Sequence, residues 1–294
     1  MIKLFTDSDT DMTPQDCEKY GYTMISMPYI INDEAIYPYK DFEVFDSKSF
    51  YNSLRNGLLP TTCALNPEEY KAYFEPVFKE GNDILYVHFS AAMSGTFNSM
   101  RIAIDELKEK YPQRKFYTID TKGITICSYN IVKAVGDLYL EGKSIEEILK
   151  WAETEVDKFT CYFYADDLKF FRRSGRVSGI AATMGSLLLI KPIIYMGSDG
   201  KMVNIGKERG QKNALNKLMS YIDNLQENMK DYRIIIGHSD SLDLAKKLGD
   251  LITQKYGNDL LIEYVVVNPT AGSHCGPNAI GISFHGKHRW VHIT

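Results

Sequence analysis

The chain has 294 residues, with 34 Lys plus Arg against 38 Asp plus Glu, so its formal net charge is −4. Hydrophobic residues make up 44% and charged residues 24%, the balance of an ordinary globular protein; this excludes a disordered chain, a collagen-like chain and a simple basic nucleic-acid binder. The length suits two domains or one large one.

In chain order, Ile2 to Phe5 is a short apolar run that ends in the polar loop Thr6 to Asp11. Met24 to Ile31 is a second run. Asn66-Pro67-Glu68-Glu69 reads as a helix start, with Asn as cap, Pro as first helical residue and acids in the first turn. Asp83 to Phe89 is a buried-type strand that runs through Ser90 to Thr96 into a helix ending about Lys110. Lys115 to Asp120 is a strand, and a helix covers Ile124 to Leu140. This strand-loop-helix rhythm predicts an α/β fold with a parallel sheet, whose ligands bind at the carboxyl ends of the strands. The loops at Thr6, Thr61, Ser90 and Asp120 are therefore the candidate site loops.

Ser144-Ile-Glu-Glu147 is a capping box opening an amphipathic helix to about Asp157, which leads into a second domain. There, strands are expected at Thr160 to Tyr164 and Pro192 to Met196, and helices at Asp166 to Arg173 and Ile180 to Ile190. Gly197 to Gly200 has the composition of a hairpin turn. A helix at Gln211 to Asn228, a strand at Tyr232 to Gly237 and a helix at Ser241 to Tyr256 follow. Strands at Leu260 to Val267 and Ala279 to His285 end the chain. The expected units are 1–157, a three-layer domain with a parallel sheet, and 158–294, an α/β domain with a mixed sheet.

The opening segment turns acidic within seven residues, unlike a signal peptide. The strongest apolar stretch, Leu187 to Met196, is split by Lys191 and Pro192 and falls short of the ~20 residues of a spanning helix. The 5 cysteines are odd in number and include no Cys-x-x-Cys, which argues against disulfides and a zinc ribbon and for a cytoplasmic location.

Four clusters carry candidate chemistry. Pro60-Thr61-Thr62-Cys63-Ala64 precedes one helix start, and Ser94-Gly95-Thr96 begins another helix after a strand. Hydroxyls and free N–H groups converge at such places, which suits a carboxylate or phosphate, although a plain N-cap accounts for each alone. The third cluster runs from Asp167 to Ser178. It carries Lys169, Arg172, Arg173 and Arg176 around a glycine turn, as a solvated helix end or as a docking surface for a phosphate or acidic partner. The fourth, Gly272 to Gly281, is a loop in which His274 and Gly276 lie between two strand-like runs. His285, His288 and His292 are better explained by a terminal strand than by a metal site. Asp7, Asp9 and Asp11 have the chemistry for Mg²⁺, but an acidic cap before a helix at Pro14 explains them more simply. Gly-x-Ser-x-Gly, dinucleotide, P-loop and zincin signatures are all missing.

Taken together and in this order, the clusters resemble the DegV family of bacterial fatty-acid-binding proteins. Thr6-Asp7-Ser8 matches the family's start, and Ser94-Gly95-Thr96 its Ser-Gly-Thr motif. Thr61-Thr62-Cys63 looks like its Thr-Ser-Gln-Pro-Ser loop, with Cys63 to Asn66 departing from it. Asp167 to Ser178 resembles its Leu-x-x-Leu-x-x-Gly-Gly-Arg-Ile-Ser segment, with Ser174 in place of a glycine. Lys191-Pro192 and Lys207-Glu208-Arg209 also fit, and His274-Cys275-Gly276-Pro277-Asn278 resembles its His-Thr-Gly-Pro-Gly.

The resemblance implies two α/β domains with one acyl chain between them, from a fatty acid such as palmitate, stearate or oleate, and no cofactor. It implies a head-group site of Thr61, Thr62, Cys63, Ser94, Gly95, Thr96, His274 and Gly276 that meets the carboxylate without a fixed positive charge. It also implies a separate fatty-acid kinase as partner, facing Arg172, Arg173 and Arg176, with no nucleic acid, no transmembrane segment and at most transient membrane contact. The apolar stretch Ile180 to Ile190 and Ile193-Ile194 are candidate tunnel walls. The competing class is an enzyme: a Ser94/His274 hydrolase, or a phosphotransferase using Asp7 and Asp9 with Mg²⁺. No third triad member is assignable.

Overall fold

A computed structural model describes residues 1–179 and 189–290. The strand Ile2–Asp7 (β1) turns into the helix Pro14–Tyr20 (α1), and Tyr22–Ile25 (β2) returns beside β1 in parallel. Tyr29–Ile31 (β3) and Glu34–Ile36 (β4) form a hairpin, Ser47–Arg55 is α2, and Thr61–Thr62 (β5) pairs with β3. The helix Pro67–Lys79 (α3), the strand Asp83–His88 (β6), the helix Thr96–Lys110 (α4) and the strand Phe116–Asp120 (β7) complete a four-stranded parallel sheet of order β2-β1-β6-β7. Two helices follow, Ile126–Leu140 (α5) and Ile145–Glu155 (α6).

The remaining elements build a mixed seven-stranded sheet. They are Phe159–Tyr164 (β8), Lys169–Ser174 (α7), Val177–Ser178 (β9), Ile190–Met196 (β10), Met202–Arg209 (β11) and Gln211–Leu225 (α8). Ile234–His238 (β12), Leu242–Tyr256 (α9), Ile262–Val266 (β13), Pro269–Cys275 (α10) and Ile280–His285 (β14) follow. The strand order is β13-β12-β14-β8-β10-β11-β9. Every strand of this sheet follows Val156–Lys158, and every strand of the other two sheets precedes it. The α/β class, with a parallel sheet first and a mixed sheet second, is as expected.

Local signals account for the helix starts. Asn66 and Glu69 close a capping box around Pro67, and Ser144 and Glu147 close another. Strand alternation divides the second sheet. Ile234, Ile236, Tyr162, Tyr164, Ile193 and Tyr195 pack with the core under α8 and α9. Ile235, Cys161, Ile194 and Met196 face the other way and join the core of the first sheet. What lies between is α5, whose first eight residues, Ile126 to Lys133, are all buried. It contacts β6 on one side and β8, β12 and β14 on the other. Gly136 lets Tyr20 approach closely, since a Cβ there would stand 2.6 Å from its ring. Among the described residues no helix is long and apolar enough to cross a membrane.

Two expectations change. The helix at Ile180 to Ile190 falls on residues 180–188, outside the described residues, while Ile190 itself begins β10. Asp7, Asp9 and Asp11 do not cap the helix at Pro14. Thr13 does, in a capping box with Asp16. The three acids are buried instead. Asp7 accepts from Asp9 N (3.1 Å), Tyr86 OH (3.0 Å) and Phe89 N (3.1 Å). Asp11 Oδ1 accepts from Asn268 N (2.9 Å) and Nδ2 (2.7 Å), tying the first loop to the start of α10. Burial pushes the carboxyls of Asp7 and Asp11 up to about 7, against the pull of these hydrogen bonds. Among the described residues no group of His, Cys, Asp and Glu is arranged to hold a metal ion.

The raised carboxyl of Asp11 has a measurable sign. Folded, it keeps a proton that the unfolded chain releases near its ordinary value of 3.8, so its stabilising contribution is lost as pH rises towards 7. Asp11→Asn retains the oxygen that binds Asn268 and removes the titration. Urea midpoints between pH 5 and pH 8 are expected to show the variant gaining about 1–3 kcal/mol on the wild type as pH rises. A flat difference would show that Asp11 titrates as an ordinary carboxylate.

Candidate functional site

Four elements meet around one cavity. Pairing of β5 with β3 sets Thr62 opposite Tyr29. The loop after β6 brings Ser94, and α10 brings His274. The segment after α7 brings Arg176. The hairpin turn Gly197 to Gly200 docks on the same loop, because Ser90 Oγ donates to the carbonyl of Gly200 at 2.7 Å. Gly200 has φ +75, and a Cβ there would stand 2.2 Å from Ser90 Oγ, so only glycine fits.

Thr62 Oγ1 and His274 Nε2 lie 3.0 Å apart. Burial, then the charges of Arg176 and Arg173, lowers the His274 pKa to about 4, so the imidazole is neutral at pH 7. With the proton on Nε2, His274 donates to Thr62 and leaves the Thr62 O–H to donate outward. Ser94 is set in the same way. Its Oγ accepts from Thr96 N at 3.2 Å, so its own O–H remains to donate. The Arg176 guanidinium donates to the carbonyls of Met93 (3.3 Å) and Ser174 (2.7 Å), which fixes it at the cavity wall. Two hydroxyl donors, a neutral imidazole and a guanidinium form a site for an anionic group.

Behind this polar cluster the cavity is apolar and occupies about 1000 Å³, counted with its open mouth. Met27, Phe89, Met93, Ile126, Phe163 and Met196 are among its walls. Gly237 and Gly281 of the second sheet also line it and leave room for neighbouring side chains. A Cβ at Gly237 would stand 2.5 Å from Ile126, and one at Gly281 would stand 2.9 Å from Phe163. Ile193 and Ile194, expected as walls, are buried in the core and are not part of the lining.

The candidate residues divide. Thr62, Cys63, Ser94, Thr96, His274 and Arg176 line the cavity, whereas Thr61, Gly95 and Gly276 do not. Thr61 is exposed at the sheet edge, and Gly95 is the exposed N-cap of α4. Gly276 acts through its backbone. Its φ is +72, and a Cβ there would stand 2.3 Å from the Phe170 ring. The Thr96 hydroxyl is turned to the core, bonded to Leu65 N (3.1 Å) and Tyr70 OH (3.0 Å). Burial, then the charge of Glu69, raises the Cys63 thiol, which keeps it a protonated weak donor.

The absence of a fixed positive charge is corrected by Arg176, which belongs to the cavity. Arg173 holds the carbonyls of Leu59 (2.5 Å) and Pro60, so it braces the approach to β5. Of the three arginines only Arg172 is exposed with no hydrogen bond from its side chain to the described residues. His274 is corrected too: it sits in the last turn of α10, not in a loop. The signal was readable, since Asn268-Pro269 repeats the cap-then-proline pattern of Asn66-Pro67. The helix α2, whose Phe50, Tyr51 and Leu54 form one buried face, and the β3-β4-β5 sheet support α10 and Thr62 and are additions to the expected elements. As for hydrolysis, His274 is bonded to Thr62 rather than Ser94, and cations rather than a carboxylate adjoin it. His285 pairs with Glu155 at 2.9 Å, away from this site.

The sequence matches the family described as "Uncharacterised protein, DegV family" over residues 1–287. A DegV domain-containing protein of Clostridium perfringens is 35% identical over 284 residues, covering 96% of this chain and 97% of that one. A DegV of Bacillus subtilis, described as a fatty acid binding protein, superposes with a TM-score of 0.79 at 25% identity, covering 97% of this chain and 99% of that one. A DegV family protein of Eubacterium eligens, loaded with heptadecanoic acid, has a TM-score of 0.82 at 24% identity, covering 98% of this chain and 100% of that one. With the motif order, the two sheets and the match along nearly all of its length, the chain belongs to the DegV family.

Proposed function

We propose that this protein binds one long-chain fatty acid between the units 1–157 and 158–294 and presents it to a separate fatty-acid kinase for acyl-phosphate formation. The observation that carries the reading is a donor cluster (Thr62, Ser94, His274 and Arg176) lining one cavity with apolar walls. The fatty acids bound by related proteins support it.

The chemistry is consistent. Burying about fourteen methylenes contributes on the order of 11 kcal/mol before association costs of about 4–15 kcal/mol, so an apolar wall must supply most of the affinity. A bare carboxylate in such a wall would offset that gain. The hydroxyls of Thr62 and Ser94 meet it, and Arg176 supplies the counter-charge. No step in this role needs a nucleophile or a base from this chain. The kinase role rests on the family likeness and on Arg172, whose exposed guanidinium is available to an acidic or phosphate-bearing partner. We place the protein in the cytoplasm, where its five free cysteines stay reduced.

Native followed by denaturing mass spectrometry of freshly purified protein is the direct test. A stoichiometric adduct that releases a long-chain fatty acid is expected. An apo mass with no uptake of palmitate or oleate would reject the reading and direct attention to Mg²⁺-dependent ATP turnover. Ser94→Ala and Thr62→Ala are each expected to weaken oleate binding by about tenfold, the worth of one hydrogen bond to a charged group. Unchanged affinity in both would remove the head-group assignment. Arg172→Ala is expected to leave oleate affinity unchanged and to slow acyl-phosphate formation by the kinase. An undiminished rate would place the docking surface elsewhere.

A further inference from the structure

One side chain of the cavity has no part in holding a carboxylate. Asp9 is 6% exposed and lines the cavity. Its backbone is engaged, with N–H donating to Asp7 Oδ1 (3.1 Å) and the carbonyl accepting from Thr125 N (2.8 Å). Its carboxyl is not. Oδ1 is fully covered and without a partner, and no hydrogen bond or ion pair among the described residues reaches the Asp9 carboxyl group. Asp7 and Asp11, by contrast, each accept hydrogen bonds. Burial, then the charges of Asp7 and Asp11, holds the Asp9 carboxyl well above the ordinary carboxylate range. In its protonated form the acid has one O–H to donate and a carbonyl oxygen to accept.

Asp9 shares the cavity with the rim, but no hydrogen bond among the described residues joins it to Thr62, Ser94, His274 or Arg176. Ser8 Oγ accepts from Met27 N (2.8 Å), and Thr270 Oγ1 donates to the Met27 carbonyl (2.8 Å). One turn of α10 then separates Thr270 from His274. With Thr62 and Ser94 holding the carboxylate, the tail is the part of the ligand left to meet Asp9. A plain methylene chain laid against Asp9 removes water and offers no partner, which is unfavourable for a buried polar group. A hydroxyl on the chain gives a partner to Oδ2, the oxygen of the acid that is not fully covered. A site built for a hydroxyl disfavours the analogue that lacks one.

We infer that Asp9 is a specificity-determining residue, and that the preferred ligand is a long-chain fatty acid bearing a hydroxyl group along its tail, hydrogen-bonded to the Asp9 side chain. The inference rests on the fatty-acid reading above and adds to it the class of acyl chain.

The test compares delipidated wild type, Asp9→Leu, Asp9→Ala and Asp9→Asn, titrated with stearate and with a positional series of monohydroxystearates. At least one isomer is expected to bind the wild type about tenfold tighter than stearate. Asp9→Leu and Asp9→Ala are expected to lose that preference, with Asp9→Leu binding stearate more tightly than the wild type does. Asp9→Asn, which keeps a donor and an acceptor, is expected to retain the preference. Equal wild-type affinity for stearate and every isomer would overturn the proposal while leaving fatty-acid binding intact, and would assign the acid's partner to water. A preference that survives in Asp9→Ala would remove Asp9 from the site. If Asp9→Leu fails to fold, the wild-type series and Asp9→Ala still decide. Binding of no fatty acid at all would reject the underlying reading, a separate and recognisable result.

Discussion

The structure depends on one helix being buried from both sides. The first eight residues of α5 are buried and lie between the parallel sheet and the mixed sheet. A surface helix needs one apolar face, whereas α5 needs all of them, and its polar residues must find partners. They do. Asn130 Nδ2 donates to the carbonyl of Arg233 (3.2 Å), and Lys133 pairs with Glu263 at 2.6 Å. The spacing of the two sheets follows from this packing. At the start of α5, Ile126 and the two residues before it, Ile124 and Thr125, line the cavity.

The cavity is thus a gap left by packing, not a hole bored through one core. Its walls come from elements far apart in sequence. Met27 and Phe89 belong to the first half, and Phe163 and Met196 to the second. Glycines at Gly237 and Gly281 allow the close approach of Ile126 and Phe163. The polar rim is assembled in the same way. Thr62 reaches His274 across more than two hundred residues of chain, held by a strand of two residues and a helix of seven. Such short elements have little stability of their own. They are held by neighbours, as when Tyr51 OH of α2 donates to the carbonyl of Val267 (2.8 Å) just before α10.

Electrostatics gives the rim and the wall opposite characters. At the rim, burial first and then the charges of Arg176 and Arg173 lower the His274 pKa, and Arg176 supplies positive potential. Along the wall, Asp9 stands with Asp7 and Asp11 buried beside it, and burial raises all three carboxyls. The same low polarity that makes the wall apolar makes an unpartnered acid there a strong selector of what lies beside it.

Caps, turns and strand periodicity were legible because they are local. The helix starts at Asn66 and Ser144, the buried strand at Asp83 and the hairpin turn at Gly197 depend on residues within a few positions of one another. The α/β class and the motif order follow from them. Asn268-Pro269 carries the same local signal, but the glycines and histidine that follow it give the segment the composition of a loop. The burial of Asp7, Asp9 and Asp11 could not be read, since acids beside a helix start are ordinarily solvated and only the surrounding sheets remove the water. Nor could the difference between Arg172 at the surface, Arg173 on backbone carbonyls and Arg176 in the cavity. These side chains are alike in sequence, and their roles are set by which distant backbone each one meets. Local chemistry therefore determined the elements and the polar residues available to the site. Long-range packing decided which of them face one cavity and which of their charges survive there, because both depend on the exclusion of water by residues remote in the chain.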